Sequence, residues 1–365
     1  MTEKIVITGG PCAGKSTALP IVAQSLRECG LNVLTVRETA TDLMQNGITP
    51  SGMNSPRDFQ MLNTEYMLSK LRMYERAAQN MPHRDTVILC DRGLCDCSVY
   101  SEHEDYAWLL NRLGLTPVTA RDMYGAVFYL ESAAKCAPFA YTTADSVRTE
   151  TVEEAARLDD AVLRAWVGHP HMRIIRGGDD FMQKIDALTQ SIKFYLGIPK
   201  PLEIERKFLI RYPDMDEISK RYVCRTVDIK QIYIKMPNGE KARIRKRGEG
   251  NDSIYIKTVK HKISDAVREE HEQLISREEY ERLTCFADPE RRPIIKKRTC
   301  IIANGKYFEL DVFPFWSDRA LLEIELESEN ESFILPETVK CVREVTGDRR
   351  YTNSALAKQV PNEEI

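Results

Sequence analysis

Gly9-Gly10-Pro11-Cys12-Ala13-Gly14-Lys15-Ser16-Thr17 is the stretch that decides the fold of the first half of this 365-residue chain. Its spacing is GxxxxGK[ST], in which glycines let backbone N–H groups surround a phosphate. An apolar run at residues 5–8 precedes the loop and a helical pattern over 15–29 follows it, so the loop leads into a helix N-terminus. All nine residues are predicted to bind a nucleotide, with Lys15 on the β- and γ-phosphates and the Ser16 hydroxyl on Mg²⁺.

Strand and helix patterns alternate around this loop. Further apolar runs at residues 32–36, 86–90, 126–130 and 172–175 read as strands, and helical patterns separate them. Ser55-Pro56 supplies a cap and a first-turn proline for a long helix. Such alternation predicts an α/β unit whose parallel sheet is covered on both faces.

Two carboxylates and one arginine are further candidates in this half. Asp91 and Glu38 each follow a predicted strand, so both are expected at the sheet edge beside the loop, as metal-binding or general-base groups. Arg148 is a candidate lid residue that clamps phosphoryl oxygens. The alternatives are solvated carboxylates at strand ends and an exposed helix face with ion pairs.

Several strings here resemble one family. The loop, Arg37-Glu-Thr-Ala, Asp91-Arg-Gly-Leu-Cys-Asp96 and the segment around Arg148 resemble the P-loop nucleoside- and nucleotide-kinase-like ATPases, over roughly residues 3–195. The resemblance implies that this unit takes ATP as substrate. It does not identify a phosphoryl acceptor.

The second half has a different charge pattern. Charged residues number 45 among the first 200 and 62 among the remaining 165. The increase begins at Gly197-Ile-Pro-Lys-Pro201, a proline-bounded segment, and predicts a boundary between residues 1–198 and 199–365. Beyond it, strand follows strand with turn signals such as Asn304-Gly305, which predicts an antiparallel β unit with few helices.

Charged residues recur at every second position of these strands, and most of the strands carry charges of one sign only. Side chains two apart share a face of a strand, so each group below lies on one face: Glu203, Glu205 and Lys207; Arg243, Arg245 and Arg247; Glu270 and Glu272; Lys296 and Arg298; Glu309 and Asp311; Glu323 and Glu325. About eight strands suffice to close a barrel with these charges in its lumen. Carboxylates there would hold divalent ions and cations would hold phosphates, although solvated strand faces are the alternative.

Glu203-Ile-Glu205-Arg-Lys207 matches the ExExK signature of the CYTH superfamily, the triphosphate tunnel metalloenzymes, which residues 202–358 resemble. The resemblance implies an eight-stranded antiparallel tunnel that hydrolyses triphosphates with Mg²⁺ or Mn²⁺. It implies metal ligands at Glu203, Glu205, Glu270, Glu272, Asp311, Glu323 and Glu325, and triphosphate-binding cations at Lys207, Arg243, Arg245, Lys260, Lys296 and Arg298. Lys257 is the alternative to Lys260. The expected catalytic residues are Glu203, Glu205 and Lys207, with Lys15, Asp91 and Glu38 in the first unit.

The composition of the chain favours some classes of protein over others. The net charge is −3, with no apolar run long enough for a membrane helix, no secretory signal and ten dispersed cysteines. These features favour a cytoplasmic enzyme that handles small-molecule triphosphates and nucleotides, without membrane contact; the balanced charge disfavours nucleic acid. The oligomeric state stays open. The alternatives are a kinase regulated by a polyphosphate-binding tunnel, a nucleotide switch, an RNA 5′-triphosphatase and an adenylate cyclase.

Overall fold

The computed structural model describes residues 2–82, 85–136, 151–177, 180–198, 204–236, 241–262, 268–328 and 330–362, without the side chains of 241, 260–262 and 268–271. The chain forms two compact units, Met1–Leu202 and Glu203–Ile365. In the described segments no helix combines the length and the apolar character needed to cross a bilayer.

The N-terminal unit contains a five-stranded parallel sheet in the order β2-β3-β1-β4-β5. Its strands are β1 (Thr2–Thr8), β2 (Asn32–Val36), β3 (Thr86–Asp91), β4 (Ala126–Leu130) and β5 (Met172–Ile175). Because β1 is the central strand, the loop that follows it emerges where the connections diverge to either side, the usual ligand-binding place in such sheets. The predicted α/β parallel architecture is confirmed.

Helices cover this sheet. They are α1 (Lys15–Glu28), α2 (Thr39–Gln45), α3 (Pro56–Gln79), α4 (Leu94–Cys97), α5 (His103–Arg112), α6 (Pro117–Asp122), α7 (Ala133–Cys136), α8 (Val152–Trp166) and α9 (Phe181–Tyr195). Helices α1 and α9 bury one apolar stripe each against the sheet face that carries Ile5, Ile7 and Phe128. Ser55 caps α3 as predicted, since its hydroxyl accepts from the Asp58 N–H.

The C-terminal unit contains a nine-stranded antiparallel sheet in the order β10-β9-β8-β7-β11-β12-β13-β6-β14. Its strands are β6 (Ile204–Arg211), β7 (Val223–Lys235), β8 (Lys241–Glu249), β9 (Asp252–Lys262), β10 (Arg268–Ile275), β11 (Ile294–Ala303), β12 (Lys306–Val312), β13 (Arg319–Leu326) and β14 (Cys341–Glu344). Eight strands were expected. The ninth is the short edge strand β14, which pairs with β6 through an irregular register.

One face of this sheet, which we call the tunnel face, carries Glu205, Lys207, Arg245, Arg298 and Glu323; the opposite side is the outer face. Helix α10 (Met215–Arg221) and the segment 333–339 pack on the outer face over β6, β12 and β13. Helix α11 (Arg277–Thr284) packs on it over β7 and β8. Apolar outer residues thus leave the charged face free to line a lumen, and the sequence-based prediction of an antiparallel tunnel is confirmed.

Candidate functional site

Carboxylates cluster on one half of the tunnel face. The register sets Glu309 of β12 opposite Glu323 of β13, and Glu205 of β6 opposite Glu325 of β13. Like charges directly opposite one another destabilise a sheet unless cations lie between them. This row of facing glutamates on three adjacent strands therefore creates a demand for positive charge.

Lysine and arginine meet part of that demand. The Lys207 ammonium lies 2.9 Å from Glu323 and 3.3 Å from Glu205. Burial opposes ionisation of Glu323, but Arg298, Lys296 and Lys207 outweigh it and lower the Glu323 pKa to about 2. Burial and the charge of Glu323 raise the Glu205 pKa to about 7. Near neutral pH, Glu323 is therefore ionised while Glu205 is in part protonated.

Arg298 is the centre of the densest ion-pair network. Its Nε donates to Asp311 Oδ1 at 2.7 Å and its Nη2 donates to Asp311 Oδ2 at 2.6 Å and to Glu323 Oε2 at 2.8 Å. Its Nη1 pairs with Glu309, and the buried Lys296 also pairs with Asp311. Burial disfavours the arginine's charge, but these carboxylates raise its pKa well above the ordinary value. Arg298 and Lys296, expected on phosphate, are held by Asp311 and its neighbours, so Asp311 has cations rather than open space around it.

The other half of the tunnel face is basic. Arg243 donates from Nη2 to Glu272 at 3.2 Å, and Glu272 also accepts from Thr258. Arg245 lies on the same face of β8 and forms no ion pair with any described residue. Burial, and then the charge of Arg243, lower the Arg245 pKa to about 10. A partly buried guanidinium that forms no ion pair with a described residue favours an anionic ligand at this point.

One end of the tunnel face is apolar and packed, which sequence reasoning missed. Leu209, Phe313, Leu321 and Tyr351 form one cluster with Leu356 of α12 (Asn353–Leu356). Tyr233 of β7 joins this cluster although four strand-to-strand steps separate β7 from β6, so the sheet curves around it. The charged lumen is therefore closed at this end by the C-terminal segment.

The carboxylate set suits a divalent ion in its chemistry. Glu205, Glu323 and Glu325 offer oxygen ligands, which Mg²⁺ and Mn²⁺ prefer. Glu205 faces Glu325 directly, and burial followed by the charge of Glu323 raises its pKa in spite of the nearby Lys207. No three described carboxylate, histidine or cysteine side chains converge closely enough to form a ready-made cluster. Glu203, which the sequence analysis paired with Glu205, lies outside the described residues.

In the N-terminal unit, the loop is arranged around Lys15. The Lys15 ammonium donates to the carbonyl oxygens of Gly9 and Gly10 at 2.8 and 2.9 Å. Burial, and then the nearby Arg92, lower the Lys15 pKa to about 8. Gly9 has φ +145° and Gly14 has φ +89°, a region that favours glycine, while Ser16 and Thr17 are exposed at the start of α1. Backbone N–H groups, a lysine and a hydroxyl thus lie together as predicted for a phosphate loop.

Asp91 and Glu38 lie beside this loop but differ in environment. Ser16 Oγ donates to Asp91 Oδ2 at 3.4 Å, while Asp91 Oδ1 is buried without a hydrogen-bond partner among the described residues. Burial and the charge of Glu38 raise the Asp91 pKa to about 6. Glu38 pairs with Arg92, and Arg92 and Lys15 overcome its burial to lower its pKa to about 2. Asp91 is therefore the carboxylate with spare ligand capacity, and Glu38 is held by an arginine.

Asp159 of α8 is a loop contact that the sequence did not reveal. Its Oδ1 accepts from the Gly10 N–H at 2.7 Å, and its Oδ2 accepts from Tyr129 and from the Ser132 N–H. A Cβ on Gly10 would lie 2.6 Å from the Cβ of Asp159. Because Asp159 is 149 positions from Gly10, only the folded chain brings the two together.

The structure does not describe the side chains of four residues that the sequence analysis assigned to a site. Arg148 and Glu203 lie outside the described residues, as do the side chains of Lys260 and Glu270. Lys257 pairs in register with Ile244, which packs in the outer core under α11. Lys257 therefore belongs to the outer face, which removes the alternative to Lys260; the role of Lys260 stays a prediction.

Comparison with known proteins now adds family membership. The CYTH domain family matches residues 201–344. An inorganic triphosphatase of Nitrosomonas europaea is 34% identical over 164 residues, which are 44% of this chain and 99% of that protein. The chain belongs to the CYTH family. The AAA domain family matches residues 4–183 of this CYTH protein, so the predicted order of a P-loop ATPase-type domain and a CYTH domain is confirmed.

A second curated relative and a solved structure match a similar share of the CYTH protein. An inorganic triphosphatase of Acetivibrio thermocellus is 32% identical over 158 residues, 43% of this chain and 93% of that protein. A crystal structure of an inorganic triphosphatase is 32% identical, covers 44% of this chain and 97% of its own, and has a TM-score of 0.32.

Proposed function

We propose that this CYTH protein hydrolyses a short triphosphate, inorganic tripolyphosphate or an organic triphosphate, on the tunnel face of its C-terminal domain. The observation that carries the proposal is Arg245, a partly buried guanidinium that has no ion pair with a described residue and lies on the same face as the glutamate row of β6, β12 and β13. A ligand with several phosphates and a divalent ion satisfies both sets of charges. The inorganic triphosphatases similar to this domain support the same substrate class.

The basic and the acidic residues of the tunnel face have different proposed roles. Arg243 and Arg245 would bind the phosphate oxygens and hold the chain of phosphates in place, with Lys207, Lys260, Lys296 and Arg298 as further cations. Glu205, Glu323 and Glu325, with Glu203, Glu270 and Glu272, are the proposed ligands of Mg²⁺ or Mn²⁺, while Asp311 holds Arg298 and Lys296 in place. Such an ion, when bound, would supply charge neutralisation and activation of the attacking water. Positioning and stabilisation of the phosphoryl charge by the arginines would provide much of the rate enhancement.

We further propose that the N-terminal domain binds ATP with a divalent ion at residues 9–17. Lys15 would exchange its two loop carbonyls for phosphate oxygens, and Ser16 with Asp91 would hold the ion, which the unpartnered Asp91 oxygen supports. Arg148 and Glu38 stay proposed contributors, and transfer to an acceptor stays part of this proposal. We place the domain boundary at 198/199 and the protein in the cytoplasm, since none of the ten cysteines forms a disulfide in the structure.

Phosphate release from tripolyphosphate with Mg²⁺ or Mn²⁺ tests the hydrolysis. Arg245→Ala should lower kcat/KM at least about 100-fold, the usual effect of removing one charge-stabilising donor. Arg282→Ala, an exposed arginine of α11, is the matched control and should retain activity. Equal activity of both variants would contradict the proposal, and loss confined to Lys15→Ala would place turnover at the P-loop.

A further inference from the structure

A groove on the outer face of the CYTH domain is lined mostly by residues that have no role in the proposed hydrolysis. It encloses about 710 Å³, within the size range of small-ligand cavities. We call it the outer groove and define it by the residues used below, which line it between β7, β8, β11 and the turn at 312–317: Tyr212, Asp228, Lys230, Lys246, Ile295 and Lys297.

Three lysines converge in the outer groove. The register sets Lys230 of β7 directly opposite Lys246 of β8, and Lys297 of β11 opposite Asp228 of β7. Like charges directly opposite on neighbouring strands destabilise a sheet. None of the three lysines forms an ion pair with a residue that the structure describes, whereas Lys207 and Lys296 on the tunnel face are both paired. Asp228 is the one acidic residue among the described lining residues, so the groove has an excess of positive charge that favours an anionic ligand.

The spacing of the lysines favours several phosphates. Residues directly opposite in a sheet have Cβ atoms about 5 Å apart, and diagonal neighbours such as Lys230 and Lys297 about 7–8 Å. Three flexible ammonium groups over that distance span more than one phosphate group. A diphosphate or triphosphate chain would bridge them.

The remaining groove residues favour a nucleoside on that chain. Ile295 is 52% exposed and Tyr212 is 46% exposed, so apolar surface lies in solvent beside the lysines. Exposed apolar surface rimmed by polar groups is typical of ligand sites. Asp228 would repel a bare polyphosphate but would accept a hydrogen bond from a hydroxyl or amino group. A planar base and a ribose supply the apolar surface and the donors.

We propose that the outer groove is a second nucleotide site, which binds a nucleoside diphosphate or triphosphate. The phosphates lie on Lys230, Lys246 and Lys297, the base packs on Tyr212 and Ile295, and Asp228 accepts from the nucleoside. The residues that this site uses differ from those that the P-loop and the hydrolysis use, so binding there does not require turnover, although Lys296 and Phe313 of the tunnel face also border the groove.

Photo-crosslinking of the full chain with 8-azido-ADP in EDTA, followed by peptide mapping, tests the site. Label is expected at Tyr212 or within residues 312–317, and ADP should compete at least 10-fold better than pyrophosphate or adenosine. Label absent from these peptides would overturn the proposal. Competition by pyrophosphate as strong as by ADP would overturn it too, because the nucleoside would then contribute nothing.

A double variant that replaces two of the lysines with uncharged residues separates an effect on binding from an effect on folding. Lys230→Gln/Lys246→Gln should reduce this labelling at least 10-fold and leave Tm unchanged or raised, because it removes a like-charge pair. Lys220→Gln/Lys340→Gln, two exposed lysines elsewhere on the domain, is the matched control and should keep the label. Unreduced labelling in the groove variant, or a fall in its Tm that accounts for the loss, would overturn the assignment.

Discussion

Glu205 and Glu323 share the ammonium of Lys207, yet their pKa values move in opposite directions. Glu323 has Arg298, Lys296 and Lys207 around it, and the charge it carries adds to burial in raising the Glu205 pKa. Pairs of acids driven apart in this way are common where a site must hold one charge and exchange another. Here the exchangeable position, Glu205, is one that we assign to a divalent ion.

This difference predicts a pH-dependent stability. The Glu205 pKa is about 7 in the folded chain against 4.5 ordinarily, so the folded state binds the extra proton between these values and loses stability as pH rises through them. In EDTA, Glu205→Gln should therefore have a higher Tm than wild type at pH 8, and the difference should vanish near pH 4.5.

Thermal melts at both pH values check this, with Glu217→Gln on α10 as the exposed control. Saturating Mn²⁺ at pH 8 should raise the wild-type Tm more than that of Glu205→Gln, because a metal ligand must lose its proton. A Tm difference between the two proteins that does not change with pH would rule out the proposed titration.

At the residue scale, the strand face on which a charged side chain lies was predictable from sequence, but its ion-pair partner was not. The two-residue repeat of strands placed Glu205, Arg245 and Lys296 on one face from sequence alone. It did not show that Arg298 would be held by Asp311, nor that Glu38 would pair with Arg92. Such pairs join residues that are distant in sequence or in neighbouring strands, and only the register and the fold determine them.

Helix α8 acts on the phosphate loop through a single buried side chain. Asp159→Ala would leave the Gly10 N–H, the Ser132 N–H and the Tyr129 hydroxyl without their shared acceptor. Loss of a buried, hydrogen-bonded charge of this kind typically costs about 3 kcal/mol of unfolding free energy, which is roughly 6–12 °C in Tm for a domain of this size. Calorimetry measures this loss of stability, and the dissociation constant of a fluorescent ATP analogue measures the effect on nucleotide binding at the loop.

The next residue provides the control for that variant. Asp160 pairs with Lys135 at 2.6 Å and is 44% exposed, so Asp160→Ala should cost under about 1 kcal/mol. Affinity for the ATP analogue should fall in Asp159→Ala and stay near wild type in Asp160→Ala. Similar losses of stability in the two variants would show that the hydrogen bonds of Asp159 to the loop contribute no more than the exposed ion pair of Asp160.

Elements with local signals were predicted well, and those that depend on the whole fold were not. Asn304 and Gly305 have φ of +52° and +72° and join β11 to β12 in a two-residue turn, as Asn-Gly predicts. Ser276 caps α11 by accepting from the Glu279 N–H. The edge strand β14 and the apolar end closed by α12 escaped prediction, because short segments gain their structure from packing rather than from propensity.

At the scale of the whole molecule, the two units of the chain have hydrophobic cores of different construction. The N-terminal core joins α1 and α9 to a parallel sheet. The C-terminal cores join the outer face of an antiparallel sheet to α10 and α11, and its apolar end to α12. The change in charge density near residue 200 marked this division in the sequence, since a lumen of paired charges needs more ionisable residues than a parallel sheet buried on both faces.

Separate cores predict separate responses to ligand. Differential scanning calorimetry of the full chain should show two unfolding transitions. Mg²⁺ with a non-hydrolysable ATP analogue should raise the Tm of one transition. Mn²⁺ with tripolyphosphate, added in the cold just before the scan, should raise the Tm of the other. A ligand at 100 times its dissociation constant adds about 2.7 kcal/mol to the domain that binds it. Lys15→Ala should abolish the first shift and Arg245→Ala the second. A single transition raised by both ligands, and lowered equally by both variants, would mean that the two domains unfold as one cooperative body and that each site's ligand stabilises the whole chain.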